Sequence, residues 1–181
     1  SCVTDDRLRE IVRKAGLVLP DGIGVIYASR ILKKPLKQRV PGVEFGENLV
    51  SALRETGKTI FFLGGKPGVA EEAAHRLQVK YPGLKVAGTK DGYFQREEEA
   101  VEAVQQAKPD VLFVCLGSPK QEYFMADHFD QLGDTLLVGL GGSLDVYAGK
   151  VERAPALFRK LGLEWFYRLL RQPSRLGRMM K

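Results

Sequence analysis

A carboxylate followed by two glycines is the first feature of this sequence that could do chemistry. The apolar run Leu17-Val18-Leu19 stops at Pro20-Asp21-Gly22, and Ile23-Gly24 then leads into the helix-compatible segment 25–28. This pattern predicts a strand, a tight turn and a helix, with Asp21 at the carboxyl end of the strand, where ligands bind in open α/β sheets. Gly22 and Gly24 would let a ligand approach the backbone closely. Asp21 could equally be a turn residue or a helix cap.

Glycines also follow the strands that the sequence predicts further along the chain. The apolar runs 58–63, 111–116 and 136–140 end at or just before Gly64, Gly117 and Gly141-Gly142, and a shorter strand is predicted over 85–88. Runs that are apolar on both faces are typical of buried parallel strands. Helix N-termini at such an edge favour phosphate, which makes a nucleotide the natural ligand. Neither a Walker A motif nor Gly-x-Gly-x-x-Gly is present, which disfavours a dinucleotide oxidoreductase.

Helical patterns alternate with these strands. Helices are predicted over 44–56, 69–80, 97–107 and 119–131, the last with Ser118 as its N-cap and Pro119 at its first position. The alternation predicts an α/β fold, a doubly wound, Rossmann-like and mostly parallel sheet with helices on both faces.

The positive charge of the chain lies at its C-terminal end. Residues 1–150 contain as many acidic as basic residues, so the net charge of +6 comes from residues 151–181. Apolar and aromatic residues are interleaved with arginine and lysine over 155–170, a composition typical of an interfacial membrane segment. We therefore expect a core domain over 1–150 and a basic, amphipathic helical appendage over 151–181. The aromatic face could instead pack on the sheet, and the basic residues could contact nucleic acid, which the neutral body disfavours.

The rest of the composition describes an ordinary globular chain. Its hydrophobic content is 44%, and no apolar run is long enough for a transmembrane helix. No signal peptide is expected in the given sequence, because no basic region leads into an apolar segment at its start. Cys2 and Cys115 are expected to be free thiols in a reducing compartment. His75 and His128 are isolated and are interpreted as structural or surface residues.

Six motifs, in this order and spacing, resemble those of the WecG/TagA/CpsF family of bacterial glycosyltransferases, and the resemblance covers essentially the whole chain. The motifs are Pro20-Asp21-Gly22-Ile23-Gly24, Arg39-Val40-Pro41-Gly42, the segment 88–94, the segment 116–122, the segment 141–150, and Arg153-Ala154-Pro155 with the segment 163–168 behind it.

The resemblance implies an inverting, metal-independent transferase that needs no cofactor. Such an enzyme moves N-acetylmannosamine, or its uronate, from a UDP donor to N-acetylglucosamine on polyprenyl (undecaprenyl) diphosphate, in synthesis of the teichoic acid linkage unit or a related surface polysaccharide. It further implies a cytoplasmic protein, peripheral at the inner face of the membrane and in contact with its anionic surface. A homo-oligomer is possible and nucleic acid is not expected as a partner. The absence of an Asp-x-Asp motif agrees with metal independence.

The resemblance also assigns roles to individual residues. Asp21 matches the proposed general base, Arg39 an arginine important for catalysis that would neutralise a diphosphate, and Gln121 a glutamine at the edge of the active site. Further residues are expected to bind substrate: Gly22, Gly24, Gly64, Tyr93, Gly117, Glu122, Gly142, Asp145, Arg168, Arg175 and Arg178. Arg168, Arg175 and Arg178 are expected to reach the acceptor's diphosphate. From the residues alone, Arg39, Gln121 and the tail arginines could equally be surface side chains, Asp145 a turn cap and Tyr93 a packing residue.

The family is expected to carry a further N-terminal segment ahead of Asp5-Asp6-Arg7, with a motif near the active site, and many members continue beyond the position of Lys181. The alternative function is therefore a UDP-binding α/β module without turnover.

Overall fold

Four parallel strands form the centre of the molecule. The computed structural model describes residues 5–155 together with Phe158 and Tyr167. The strands are β1 (Thr59–Gly64), β2 (Lys85–Lys90), β3 (Val111–Cys115) and β4 (Leu136–Gly139), and they lie side by side in the order β2-β1-β3-β4. The apolar runs therefore predicted the strands correctly, and the α/β fold class is confirmed.

Helices cover both faces of this sheet. The helices of the described chain are α1 (Asp6–Lys14), α2 (Ile23–Ile31), α3 (Gly42–Thr56), α4 (Val69–Lys80), α5 (Glu97–Ala107), α6 (Lys120–Asp127) and α7 (Ser143–Tyr147). On one face, residues of α3, α4 and α7 pack on Phe62 and Phe113, whose rings meet edge to face at 5.7 Å. On the other face, residues of α5 and α6 pack on Phe61 and Leu112. Because neighbouring strand residues point to opposite faces, β1, β3 and β4 contribute to both cores.

The strand order creates a switch point between β1 and β3. The chain leaves β1 through α4 to reach β2 on one side, and then crosses through α5 to β3 on the other side. The loops that follow β1 and β3 therefore diverge, and they leave a crevice beyond the carboxyl ends of these strands. Ligands of doubly wound folds bind in this crevice.

The strand predicted at Leu17-Val18-Leu19 is wrong. This segment has no regular secondary structure and belongs to no sheet, and Leu17 and Val18 are exposed. None of the four described strands pairs with this run, and three apolar residues alone do not make it part of the sheet. The helix predicted after Gly24 does form, as α2. Asp21 consequently lies in the connection between α1 and α2, held by a hydrogen bond of 2.9 Å from the Val40 amide to the Pro20 carbonyl.

Several helix boundaries and two whole helices also differ from the prediction, and α3 begins at Gly42 rather than at residue 44. The helix predicted over 119–131 ends at Asp127, and its N-cap is Pro119 rather than Ser118, because the turn that holds Gly117 at φ 78° continues through Pro119. Helix α1 was not predicted, although Asp5 caps it by accepting from the Leu8 amide at 2.9 Å. Helix α7, of five residues, is too short for a periodic pattern. Most of the appendage predicted over 151–181 lies outside the described residues, which here are 151–155, Phe158 and Tyr167; the last two rings are 5.5 Å apart.

Among the helices of the described chain, none is long and apolar enough to cross a bilayer.

Candidate functional site

A wide groove of about 2340 Å³ runs along the carboxyl ends of the strands. Nine of the residues singled out from the sequence line it: Asp21, Gly22, Arg39, Tyr93, Gly117, Gln121, Glu122, Gly142 and Asp145. Gly24 and Gly64 do not line this groove, and Arg168, Arg175 and Arg178 lie outside the described residues. The groove therefore brings together residues that are far apart in the sequence.

Asp21 and Arg39 form a pair at one wall of the groove. The Arg39 Nε–H group donates to the backbone carbonyl of Asp21 at 2.5 Å, and its Nη2 lies 3.4 Å from the carboxylate Oδ1. The Arg39 side chain is only 19% exposed, whereas that of Asp21 is 63% exposed. The arginine is thus held by the protein, and it fixes an aspartate whose carboxylate faces solvent.

The same carboxylate lies beside the beginning of α3. A Cβ atom placed on Gly42, the first residue of this helix, would be 3.6 Å from Asp21 Oδ2 and 3.7 Å from a methyl group of Leu140. No side chain caps this helix end, whose N-cap residue is Pro41. The partial positive charge of a helix N-terminus stabilises a nearby carboxylate or phosphate. Asp21 is therefore surrounded by a guanidinium group and a helix N-terminus.

The glycine-rich loops form the floor of the groove, although Gly64 itself has a packing role. Gly64 has φ 131°, and a Cβ atom there would collide with the backbone of Cys115 on the neighbouring strand. Gly65, the next residue, lines the groove, and its carbonyl accepts from the Gly92 amide at 2.9 Å. The predicted substrate contact at Gly64 thus falls on a residue that packs β1 against β3.

Gln121 joins two walls of the groove. Its side chain is almost fully buried. The amide oxygen accepts from the Gly141 N–H group at 2.8 Å, and the amide nitrogen donates to Glu122 Oε1 at 2.9 Å. This excludes the alternative of an ordinary exposed helix residue. Gln121 ties α6 to the Gly141-Gly142 loop, which in turn leads to Asp145.

Two charged side chains at the groove have a buried atom with no hydrogen-bond partner in the described part of the chain. They are Glu122, through Oε2, and Arg153, through Nε. Arg153 also donates to Glu44 at 2.8 Å. A buried polar group without a partner is costly, so such atoms are natural contacts for a ligand. The sequence motifs give Arg153 no role of its own and do not include Lys66, although both residues line the groove.

The thiol of Cys115 is not a nucleophile of this site. Burial raises the pKa of Cys115 to about 12, although it accepts hydrogen bonds from backbone groups at the start of α7. A neutral thiol is a poor nucleophile. Within residues 5–155, no cluster of histidine, cysteine, aspartate and glutamate side chains is arranged to hold a metal ion.

Over most of its length the chain is similar to known glycosyltransferases. Residues 1–181 match the family described as "Glycosyl transferase WecG/TagA/CpsF family". A protein of Bacillus spizizenii strain W23, named N-acetylglucosaminyldiphosphoundecaprenol N-acetyl-beta-D-mannosaminyltransferase, is 38% identical over 174 residues, which are 96% of this chain and 68% of the relative. A protein of the same name from Staphylococcus aureus strain MW2 is 40% identical over 171 residues, 94% of this chain and 67% of the relative.

The chain belongs to the WecG/TagA/CpsF family of glycosyltransferases, and the resemblance inferred from the six motifs is confirmed. It is a transferase by family, and its relatives act in the assembly of a lipid-diphosphate-linked saccharide, as their names state.

Proposed function

We propose that this protein transfers N-acetylmannosamine from a UDP donor to N-acetylglucosamine on undecaprenyl diphosphate, with inversion at the anomeric carbon and without a metal ion. The observation that carries the proposal is the Asp21–Arg39 pair at the wall of a glycine-lined groove, in a chain of this family. The acceptor and the transferred sugar are those in the names of the two relatives. The uronate of the same sugar is the alternative donor.

Asp21 is proposed as the general base. Its carboxylate takes the proton of the acceptor hydroxyl while the hydroxyl oxygen bonds to the anomeric carbon of the donor. The bond from that carbon to UDP breaks, and its electron pair leaves with the diphosphate. Attack opposite the leaving group turns an α-linked donor into a β-linked product, the configuration in the names of the relatives.

We propose that the main role of Arg39 is to orient this base. Its second role is to neutralise charge on the diphosphate. Its Nε–H group is engaged by the Asp21 carbonyl and its Nη2 by the carboxylate. A guanidinium group held in this way keeps the carboxylate aimed into the groove, and its other N–H groups can contact phosphate oxygens.

The donor is proposed to occupy the glycine-lined part of the groove. The loops after β1, β3 and β4 bring Gly65, Gly117 and Gly142 to one edge, where backbone N–H groups can contact phosphates. Tyr93 and Asp145 line the same groove and are proposed to contact the nucleotide. Gln121 is proposed as a positioning residue, because both polar ends of its amide are occupied by protein groups.

The basic segment 151–181 is proposed to serve the acceptor and the membrane. It carries the whole excess of positive charge, including Arg168, Arg175 and Arg178. Arginine is suited to diphosphate, and a cluster of basic residues to an anionic membrane surface. This division assigns the donor to residues 1–150 and the lipid-linked acceptor to both parts.

A transfer assay in EDTA tests the proposal. The chain is incubated with UDP-N-acetylmannosamine or its uronate and with N-acetylglucosaminyl diphosphate on a short polyprenyl chain, and the disaccharide is identified by mass spectrometry and NMR. We expect a β-linked product in EDTA. Binding of UDP by calorimetry without any product would support the alternative, a UDP-binding module without turnover. A requirement for added divalent metal would contradict metal independence.

A further inference from the structure

One half of helix α2 presents large hydrophobic side chains to solvent. At 100° per residue, Tyr27, Ile31, Leu32 and Val25 lie in this order around one half of the helix. Only Gly24 and Ala28 lie between them, so no polar side chain interrupts this half. We call the surface formed by Val25, Tyr27, Ile31 and Leu32 the α2 face. Their exposed fractions are 51%, 54%, 80% and 71%.

Little of α2 is used by the core of the protein. Ile26 is the one buried residue of this helix, and it lies on the side opposite the α2 face. A helix at the surface of a water-soluble domain ordinarily shows polar residues to solvent and apolar residues to the core. In α2 the apolar half faces solvent instead, while Ser29 and Arg30 lie beside the buried Ile26 on the other side. A contiguous exposed apolar surface of this kind marks an interaction site.

The segment after α2 adds a further apolar residue and holds it close to the helix. The Ser29 hydroxyl accepts from the Leu36 amide at 3.1 Å, and the Ser29 carbonyl accepts from the Lys34 amide at 2.9 Å. The chain therefore folds back against the end of α2. Leu36 is itself 40% exposed.

The charged residues of the segment 22–43, which contains α2, are all positive. Arg30, Lys33, Lys34 and Lys37 are exposed. No acidic residue occurs between Asp21 and Glu44. Within the described residues, no carboxylate forms an ion pair with these four side chains. An apolar helix face with lysine and arginine beside it has the chemistry of a segment that lies in the interface of an anionic bilayer.

The α2 face is also close to the proposed base along the chain. Helix α2 begins two residues after Asp21, and the segment that follows it ends at Arg39, which returns to bind Asp21. The hydrogen bond from the Val40 amide to the Pro20 carbonyl joins the two ends of the segment that carries α2. The Asp21–Arg39 pair therefore lies where the segment that carries α2 joins the rest of the protein.

We propose that the α2 face is a membrane-contact surface, which inserts Tyr27, Ile31 and Leu32 among the headgroups of an anionic bilayer. This contact is separate from the basic segment 151–181. It sets the Asp21 side of the groove against the bilayer, where a diphosphate attached to a lipid is presented. The surface itself stands on the residues of α2, whereas its use for a lipid-linked acceptor rests on the proposed function.

Vesicle binding by two matched variants tests the surface. Ile31→Glu and Val79→Glu each replace an exposed β-branched residue in the last turn of a helix, and Val79 is 68% exposed on α4. The full chain and each variant are titrated with vesicles of phosphatidylglycerol and phosphatidylcholine, and the bound fraction is measured by co-sedimentation. We expect Ile31→Glu to weaken binding by about tenfold or more and Val79→Glu by about twofold or less.

The charge contribution is tested separately. Lys33→Gln combined with Lys34→Gln is expected to weaken binding to phosphatidylglycerol vesicles by about tenfold and to leave binding to pure phosphatidylcholine vesicles unchanged. Circular dichroism is the control for folding. We expect every variant to fold, because all the substituted side chains are exposed. Unchanged binding by Ile31→Glu, or equal weakening by Val79→Glu, would overturn the proposal.

Two further outcomes separate the proposal from its alternatives. If Ile31→Glu changes the sedimentation coefficient of the free protein but not its binding to vesicles, the α2 face is a surface between copies of this chain and the proposal is refuted. With the short acceptor in solution, turnover by Ile31→Glu should equal that of the unmodified chain, and with a long-chain acceptor in vesicles it should fall. If the unmodified chain turns over neither acceptor, the proposed function fails, while the vesicle titration still decides the membrane contact.

Discussion

Gln121 offers a direct test of how the groove is held in shape. Gln121→Leu removes the acceptor of the Gly141 N–H group, at 2.8 Å, and the donor to Glu122, at 2.9 Å. Each buried polar group left without a partner costs about 1–3 kcal/mol. Since Gly141 and Glu122 border a groove that water can enter, we expect a net loss of about 2 kcal/mol in the free energy of unfolding. For a chain of this length that lowers Tm by about 4–8 °C.

Gln121→Glu separates the two hydrogen bonds by their dependence on pH. The new carboxylate can still accept from Gly141, but its second oxygen then faces Glu122 in place of an amide donor. Two adjacent carboxylates raise the pKa of one of them in the folded protein. A raised folded pKa means that the folded state binds the extra proton more tightly. The stability deficit of the variant is therefore full at pH 8 and shrinks as the pH falls towards 5.

The assay is urea unfolding at pH 8 and pH 5, combined with calorimetry of UDP binding. If Gln121 positions the Gly141-Gly142 loop for the donor, Gln121→Leu should lose UDP affinity together with turnover. Gln105→Leu is the matched control, because Gln105 makes one exposed hydrogen bond to the Gln131 carbonyl. Its stability should change by about 0.5 kcal/mol or less. Normal stability and UDP affinity for Gln121→Leu, or a deficit of Gln121→Glu that grows as the pH falls, would refute the reasoning.

Two further predictions concern the frame of the sheet. Asp110 accepts from the Lys58 ammonium group and the Thr59 amide, both at 2.8 Å, and these contacts lower its pKa to about 2. The stabilisation is present above the usual pKa of 3.8 and is lost as the pH falls towards 2. Acid unfolding of Asp110→Asn should therefore depend less steeply on pH than that of the unmodified chain. An unchanged pH profile would contradict this. In urea unfolding, Gly64→Ala should lower the free energy of unfolding by at least about 2 kcal/mol more than Gly68→Ala. Both glycines have positive φ, but only the new Cβ at position 64 meets backbone atoms. Equal losses would count against close packing of the strands.

The interior of the fold could be predicted from the sequence because its strands are buried on both faces. The runs at Ile60–Leu63 and Val111–Cys115 are apolar throughout, and only a sheet with helices on both sides hides such strands. Leu17-Val18-Leu19 has the same composition without the same environment. Composition alone does not say whether a partner strand is present, so this segment was misread as a strand.

The sequence predicts most residues of the candidate site, but it does not predict the contacts between them. Asp21 was placed at the edge of the groove for a reason that proved wrong, since no strand precedes it, yet it lines the groove. The contact between Arg39 and Asp21 joins residues far apart in sequence, and no local pattern encodes it. Gln121 is buried because α6 packs beside the Gly141 loop, and α2 is exposed because no other described element covers it. Such facts arise only from tertiary structure.

The central claim is that Asp21 removes the acceptor proton, and one pair of measurements on Asp21→Asn tests it most directly. Asparagine keeps the shape and the backbone carbonyl that Arg39 binds, but it cannot accept the proton. We expect turnover with the lipid-diphosphate acceptor to fall by about 10²–10⁴, while UDP affinity by calorimetry changes by about twofold or less. Asp6→Asn, at an exposed position outside the groove, should match the unmodified chain in both. Near-normal turnover by Asp21→Asn, or a parallel loss of UDP affinity, would contradict the claim.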